Sequence, residues 1–428
     1  MSILAGKGDA TIAISDQELR EMIRTALAKL GRPFKKVLLV VPDFTRFNSY
    51  SGPIAEMVYE ELTPEGTHVD VIPALGTHVP MTEHEIRTMY GRKIPLDRFI
   101  VHDWRNEVVS AGVVPGSLIS EWSDGKVDYE VKGMINKVIY AGYDLILSIG
   151  QVVPHEVVGM ANYTKNIMVG IGGSDMINKS HFLGAVCNME NIMGRADTPV
   201  RRLFNYAVET FLPELPISYM LTVRARNEGT GKMELRGFYC GGEKAFQAAC
   251  KVAAASNLNF FDAPLKKVVV YLDPEEFKST WLGNKAIYRT RMAIADDGEL
   301  IVLAPALREF GEDKVIDKLI RKYGYHGTPQ TLEAVRNEAD LRENLGAAAH
   351  LIHGSSEGRF RITYCPGPNM PRREIEKVGF ASGDLDAMLK KYPVDRLKDG
   401  FHTDENGEEF FYISNPALGL WACKEKFI

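Results

Sequence analysis

Three side chains in one stretch set the chemical question. His155, Lys165 and His181 lie within HEVVGMANYTKNIMVGIGGSDMINKSH. Imidazole changes charge near neutral pH and is the commonest metal ligand, so histidines serve as proton carriers or as metal donors. Gly159, Gly170, Gly172 and Gly173 interrupt the stretch and permit close backbone approach to a ligand. Upstream stand Asp43-Phe44-Thr45-Arg46 and Gly76-Thr77-His78. Arg46 is three residues beyond Asp43, so the two can share a turn, and its planar fork suits a carboxylate or phosphate. His102 reads as a strand-end residue and His84 as a solvated helix residue. Two common motifs are absent. Gly170-Ile171-Gly172-Gly173-Ser174-Asp175 has Asp175 where a dinucleotide fingerprint needs its third glycine. His155-Glu156 is not a zincin motif, because Gly159 stands at the second histidine position.

These loops need a scaffold that gathers them. Ser15 to Lys29 reads as a helix, with Ser15 as cap and Glu18 three residues on. Lys36–Val41 is a continuous apolar run of the kind a buried parallel strand shows. Further strands are expected at Val69–Ala74, Phe99–His102 and Asp144–Ile149, with helices at Ile54–Leu62 and from Thr82 to Tyr90. This βα alternation predicts an α/β domain with a mainly parallel sheet. The Asp43, His78, His102 and His155 loops each follow a predicted strand, and ligands of open α/β sheets bind at the carboxyl ends of strands.

After a helix near Glu243–Ala255, strands at Lys266–Leu272 and Leu300–Ala304 flank a helical segment, Lys285–Ala295. The expected organisation is an N-terminal cofactor-binding and catalytic domain over 1–262 and a smaller α/β domain over 266–395. The tail, 396–428, is expected to return to the first domain. The cleft between the two is the expected active site.

The bulk figures limit the partners. A chain of 428 residues with net charge −5 and no basic stripe argues against a nucleic-acid binder. No run approaches the roughly 18 apolar residues that span a bilayer, and the N-terminus lacks the pattern of a signal peptide. The five scattered cysteines form no CxxC pair, which fits reduced thiols in a cytoplasmic protein.

Taken together, His155, Lys165 and His181, with the Asp43–Arg46 and Gly76–His78 elements in the same order, resemble the nickel-pincer nucleotide-dependent lactate racemase family. The resemblance implies a pyridinium-3,5-bisthiocarboxylic acid mononucleotide joined covalently to Lys165, with nickel held by the pincer and by His181. It implies His78 and His155 as the acid/base pair, and Asp43, Thr45, Gly159 and Thr164 as cofactor contacts. Arg46 maps to an anchor for substrate or phosphate. The cell's cofactor-synthesis machinery becomes an implied partner, and the implied activity is inversion of C2 in a small 2-hydroxy acid. A cofactor is chemically necessary for that reaction, because no side chain can accept a hydride. Two departures stand out. The family's aromatic-Gln-x-x-Lys segment reads Trp281-Leu282-Gly283-Asn284-Lys285. Lys285 can bind a carboxylate and Trp281 can line the pocket, but Leu282 cannot donate a hydrogen bond. The expected substrate is therefore a 2-hydroxy acid other than lactate, such as a longer aldonate; lactate itself is the first alternative. The second departure precedes the lysine, where Ala161-Asn162-Tyr163-Thr164 replaces a glycine-rich loop. A zinc hydrolase using the three histidines would give Lys165 no role. A cofactor-storage protein would not need both His78 and His155.

Overall fold

A computed structural model describes residues 2–227 and 229–427. The chain divides into two compact α/β units, Met1–Leu183 with Ile192–Asn257, and Gly184–Asn191 with Leu258–Ile428.

The first unit is built on a six-stranded sheet. Its strands lie in the order Ile3–Gly8, Met233–Gly241, Ile217–Arg226, Leu145–Gln151, Lys36–Pro42, His68–Ala74. The last four pair in parallel and the first two are antiparallel. Lys36–Pro42 is buried from Val37 onward, as a strand covered on both faces must be. Helix Asp16–Lys29 is capped by Ser15 in a full capping box with Glu18 and buries Leu19, Ile23, Ala26 and Leu27, one helical stripe. That stripe packs with Val37, Leu39 and Leu147 in the core of the unit. Thr82 and Glu85 make the second expected capping box, ahead of Glu83–Tyr90.

The second unit carries a six-stranded sheet in the order Ala381–Ser382, Arg361–Pro366, Ile294–Ala304, Leu265–Tyr271, Glu409–Ile413, Gly400–Thr403. All its pairings are parallel except the last.

Three expectations are corrected. Phe99–His102 is no strand. Phe99 bridges Val71, Ile100 N donates to Val71 O at 2.8 Å, and the chain then turns where Asp103 accepts the backbone amides of Arg105 and Asn106. The helix expected over Lys285–Ala295 stops at Tyr288. Thr290 turns its hydroxyl back onto Ala286 O at 2.6 Å, and strand Ile294–Ala304 begins soon after. The tail stays with the second unit, because Glu409–Ile413 pairs with Leu265–Tyr271 and buries Phe410 and Tyr412 beside Val269, Ile301 and Tyr392. Trp421–Cys423 pairs with Asn259–Phe261, so that unit begins before residue 266. Sequence reasoning also passed over the antiparallel pair Ile217–Arg226 and Met233–Gly241, although its strand-forming residues are visible. Among the described residues no helix is long and apolar enough to cross a membrane. All five cysteines are buried free thiols.

Candidate functional site

The first sheet reverses its strand order around Lys36–Pro42: the chain steps to His68–Ala74 on one side, then to Leu145–Gln151 on the other. Such a switch point opens a crevice at the carboxyl ends of the two central strands. Asp43 and Gln151 leave those ends, and the helix Thr164–Met168 is fixed across them. Asn166 Nδ2 donates to Val40 O at 3.1 Å and to Ser148 Oγ at 2.9 Å, one partner on each central strand. Lys165 is thereby held at the switch point.

Asp43 caps the turn Phe44–Ser49, where its Oδ1 accepts the amide and hydroxyl of Thr45. Its Oδ2 lies 2.6 Å from His78 Nδ1. Burial pushes the Asp43 carboxyl up, but the hydrogen bonds from His78 and Thr45 outweigh it and leave the group below the usual range. An ionised carboxylate only accepts, so His78 donates from Nδ1, and in the neutral ring Nε2 would carry the lone pair. His78 follows a turn in which Gly76 takes φ 58° and donates its amide to Gly170 O at 2.8 Å, which ties the histidine loop to the lysine segment.

His155 has the opposite arrangement. It ends the short strand Pro154–His155, paired with Gly159–Met160, and is buried. Its Nδ1 accepts the amide of Val157 at 3.1 Å. In the neutral ring, Nε2 then bears the proton. Burial holds the imidazole well below its ordinary pKa, and the cations Lys165 and Arg46 add to this against Glu156. Gly159 is required: it takes φ 85°, and a Cβ there would lie 2.1 Å from Arg195 O.

Lys165 is half-buried, and its amine is pulled down to about 8 by desolvation and then by Arg46, with Arg201 acting in the same direction. His181, on helix Ser174–Val186, places Nδ1 2.6 Å from Ile177 O, so Nε2 is the donor atom it can offer a metal. Burial lowers its pKa and keeps it neutral. His155, Lys165 and His181 each feel the charge of Glu156, and Arg46 acts on both His155 and Lys165. The expected residues Asp43, Thr45, Arg46, His78, His155, Gly159, Lys165 and His181 are thus gathered on the first unit. Thr164 is buried and its hydroxyl is already committed: it donates to Asn205 Oδ1 at 2.7 Å and accepts from Arg201 at 2.8 Å. Within the protein this hydroxyl ties the loop to helix Pro199–Phe211. His102 has both ring nitrogens bonded, to Gly172 O and to Asn136, and is structural.

The loop before Lys165 is strained. Asn162 and Tyr163 take φ 64° and 60°, and Tyr163 has ψ −132°. Non-glycine residues held this way cost about 1–3 kcal/mol each. Arg201, which sequence reasoning missed, spans this loop. Its signal was only an arginine on an otherwise apolar helix face.

Trp281 and Lys285 belong to the second unit. The second sheet also reverses its order, around Leu265–Tyr271, and both residues follow that strand. The Trp281 ring lies 4.4 Å from the His350 ring. Lys285 Nζ is 3.9 Å from Glu276, which also accepts from Asn415 at 2.9 Å. Leu282 is 40% exposed, so its side chain is not part of the unit's core.

The residues present fit a covalently held metal cofactor. The depressed amine is neutral, and so nucleophilic, in a larger fraction than an ordinary lysine, and His181 offers one imidazole donor. Among the described residues no group of three His, Cys, Asp or Glu side chains could hold a metal unaided.

Comparison with known proteins gives the following. Residues 6–194 match the lactate racemase N-terminal domain model. No curated protein sequence matches. A crystal structure of a Thermotoga maritima protein is similar over 98% of this chain and 100% of its own, at 23% identity and TM-score 0.77. The lactate racemase apoprotein from Thermoanaerobacterium thermosaccharolyticum is similar over 97% of this chain and 94% of its own, at 16% identity and TM-score 0.68. At these identities the structures establish the shared fold.

Proposed function

We propose that the protein, whose residues 6–194 match the lactate racemase N-terminal domain model, is an isomerase that inverts C2 of a 2-hydroxy acid. The reading includes a nickel-pincer nucleotide on Lys165, with His181 as the protein's nickel ligand. When bound, that group would supply the hydride chemistry that inversion at C2 requires. Every other task falls to side chains. The single observation that supports the proposal is a depressed Lys165 within electrostatic reach of His155, His181, Glu156 and Arg46, with the Asp43–His78 pair on the same unit.

Inversion needs the hydroxyl proton removed as C2 becomes trigonal. His78 suits this task, because Nε2 holds the lone pair and Asp43 stabilises the imidazolium that forms, as the carboxylate does in a catalytic triad. His155 presents Nε2–H and resists protonation, so it suits hydrogen-bond donation to the substrate oxygen and, after tautomer exchange, the opposite enantiomer. Arg46 makes no side-chain hydrogen bond or ion pair among the described residues. It is the cation that anchors a carboxylate while the planar keto acid turns. Lys285 is a second candidate for that clamp.

The substrate is proposed to be a 2-hydroxy acid other than lactate, with an aldonate as the leading candidate. Support comes from Leu282, an exposed apolar side chain where the family's segment carries an amide. A panel of enantiopure 2-hydroxy acids, assayed by chiral chromatography with protein from cells that make the cofactor, tests both levels. Fastest inversion of lactate removes the substrate proposal. No inversion of any acid by protein whose Lys165 carries the adduct removes the isomerase reading.

A further inference from the structure

Arg201 is 2% exposed and has no carboxylate among its hydrogen-bond partners in the described residues. Burying a cation without a counter-charge is costly, and such groups persist where something else depends on them. All the hydrogen-bond partners of its side chain lie in one five-residue run that leads into Lys165. Nη1 donates to Thr164 Oγ1 at 2.8 Å, and Nη2 donates to Met160 O at 2.6 Å and Asn162 O at 3.1 Å. The guanidinium lies over the Phe246 ring at 4.5 Å and faces the Tyr163 ring at 5.7 Å.

The same run contains the two strained residues. Tyr163, at φ 60° and ψ −132°, occupies backbone space that glycine alone enters without strain. Its ring stacks on Phe246 at 4.8 Å and 13°, and tilts against Tyr219 at 4.3 Å. The arginine itself stands on a firm base. It is the third residue of helix Pro199–Phe211, and its amide donates to the capping hydroxyl of Thr198 at 3.0 Å. Thr198 Oγ1 donates in turn to Val158 O at 3.1 Å, next to the hairpin that carries His155.

We propose that Arg201 is a positioning residue for Lys165: its fork locks Met160–Thr164 into a glycine-like path that the non-glycine residues Asn162 and Tyr163 would otherwise leave. Its relevance to turnover rests on the reading of Lys165 given above; the geometry does not. The fork compensates the strain by binding two carbonyls and a hydroxyl at once, which a lysine's single ammonium cannot reproduce.

The test uses the full chain made without cofactor, followed by hydrogen–deuterium exchange. In Arg201→Lys and Arg201→Met, amides of residues 160–165 should exchange at least about tenfold faster, while strands 36–42 and 145–151 keep their protection. Tyr163→Gly introduced into Arg201→Lys should restore much of the protection, because it removes the strain that the fork offsets. A merely structural buried arginine predicts no rescue by glycine. In cells that make the cofactor, intact mass should show a lower fraction of chain with the Lys165 adduct in Arg201→Lys, partly recovered in the double variant. Should both Arg201 variants fail to fold, Thr164→Val, which cuts one of the three bonds, must still speed exchange at 160–165. Unchanged exchange there in any folded variant, or absence of glycine rescue, overturns the proposal. None of these readouts needs isomerase activity, so a failed isomerase assay leaves this result standing.

Discussion

Each unit buries one arginine to 2% exposure, and the two are treated differently. Arg291, in the second unit, is paired with Glu190 at 3.2 Å, and Glu190 also pairs with Arg359. Arg201, in the first unit, binds carbonyls, a hydroxyl and aromatic faces. The contrast extends around them. Behind Trp281, Thr280, Tyr325 and His350 form a closed chain of hydrogen bonds at 2.7 and 3.0 Å, and Tyr364 bonds Asn284 at 2.8 Å. His350 is driven to about 3 by burial, which makes it a permanently neutral acceptor. Polar groups there satisfy one another, as a rigid interior requires. In the first unit buried Arg201 stands against the loop before half-buried Lys165, with left-handed backbone at Asn162 and Tyr163 beside it. Strain and a buried arginine without a carboxylate partner distinguish the first unit; an ion-paired buried arginine distinguishes the second.

The contrast can be broken or sharpened by experiment. The largest effect is expected from Lys165→Ala, which removes the anchoring amine: inversion should fall to background, and intact mass should show no adduct. In the apoprotein, acylation of Lys165 should be half-maximal near its pKa of about 8. The sign follows from desolvation, which favours the neutral amine, so reactivity is lost below that pH rather than below the ordinary lysine value. A midpoint at an ordinary lysine value would refute the electrostatic account of this edge. Next comes the histidine pair. His78→Asn should lower kcat by about 10²–10⁴-fold, the usual worth of a general base. Nitrogen-15 shifts of the resting protein should show a bare Nε2 in His78 and a bare Nδ1 in His155; matching tautomers would sink the division of roles. Lys285→Ala should act mainly on KM, by about tenfold or more, as expected on losing a charged hydrogen bond of about 1.5–3 kcal/mol. The smallest effect on turnover belongs to Arg291→Met. It should lower the melting temperature by several degrees, for a cost of about 1–3 kcal/mol, with kcat per folded molecule unchanged. A loss of turnover there would erase the distinction between the two arginines.

Local information sufficed for much of this molecule. Capping boxes at Ser15 and Thr82, the apolar run before Asp43 and the spacing of His155, Lys165 and His181 depend on neighbours within a few turns of chain. That is enough to name the elements and the side chains that could react. It failed where a distant partner decided the outcome. Phe410 and Tyr412 join the second sheet because Leu265–Tyr271 offers them an edge. The helix after Lys285 ends early because a strand must begin at Ile294. Which nitrogen of His78 holds the proton depends on Asp43, 35 residues earlier. The depressed amine of Lys165 depends on burial and on Arg46 and Arg201, brought in from far along the chain. The sequence alone determined which groups are available for chemistry, since residue type carries that. The tertiary structure alone decided their protonation, tautomer and strain, because those follow from desolvation and from partners that only folding brings within hydrogen-bonding distance.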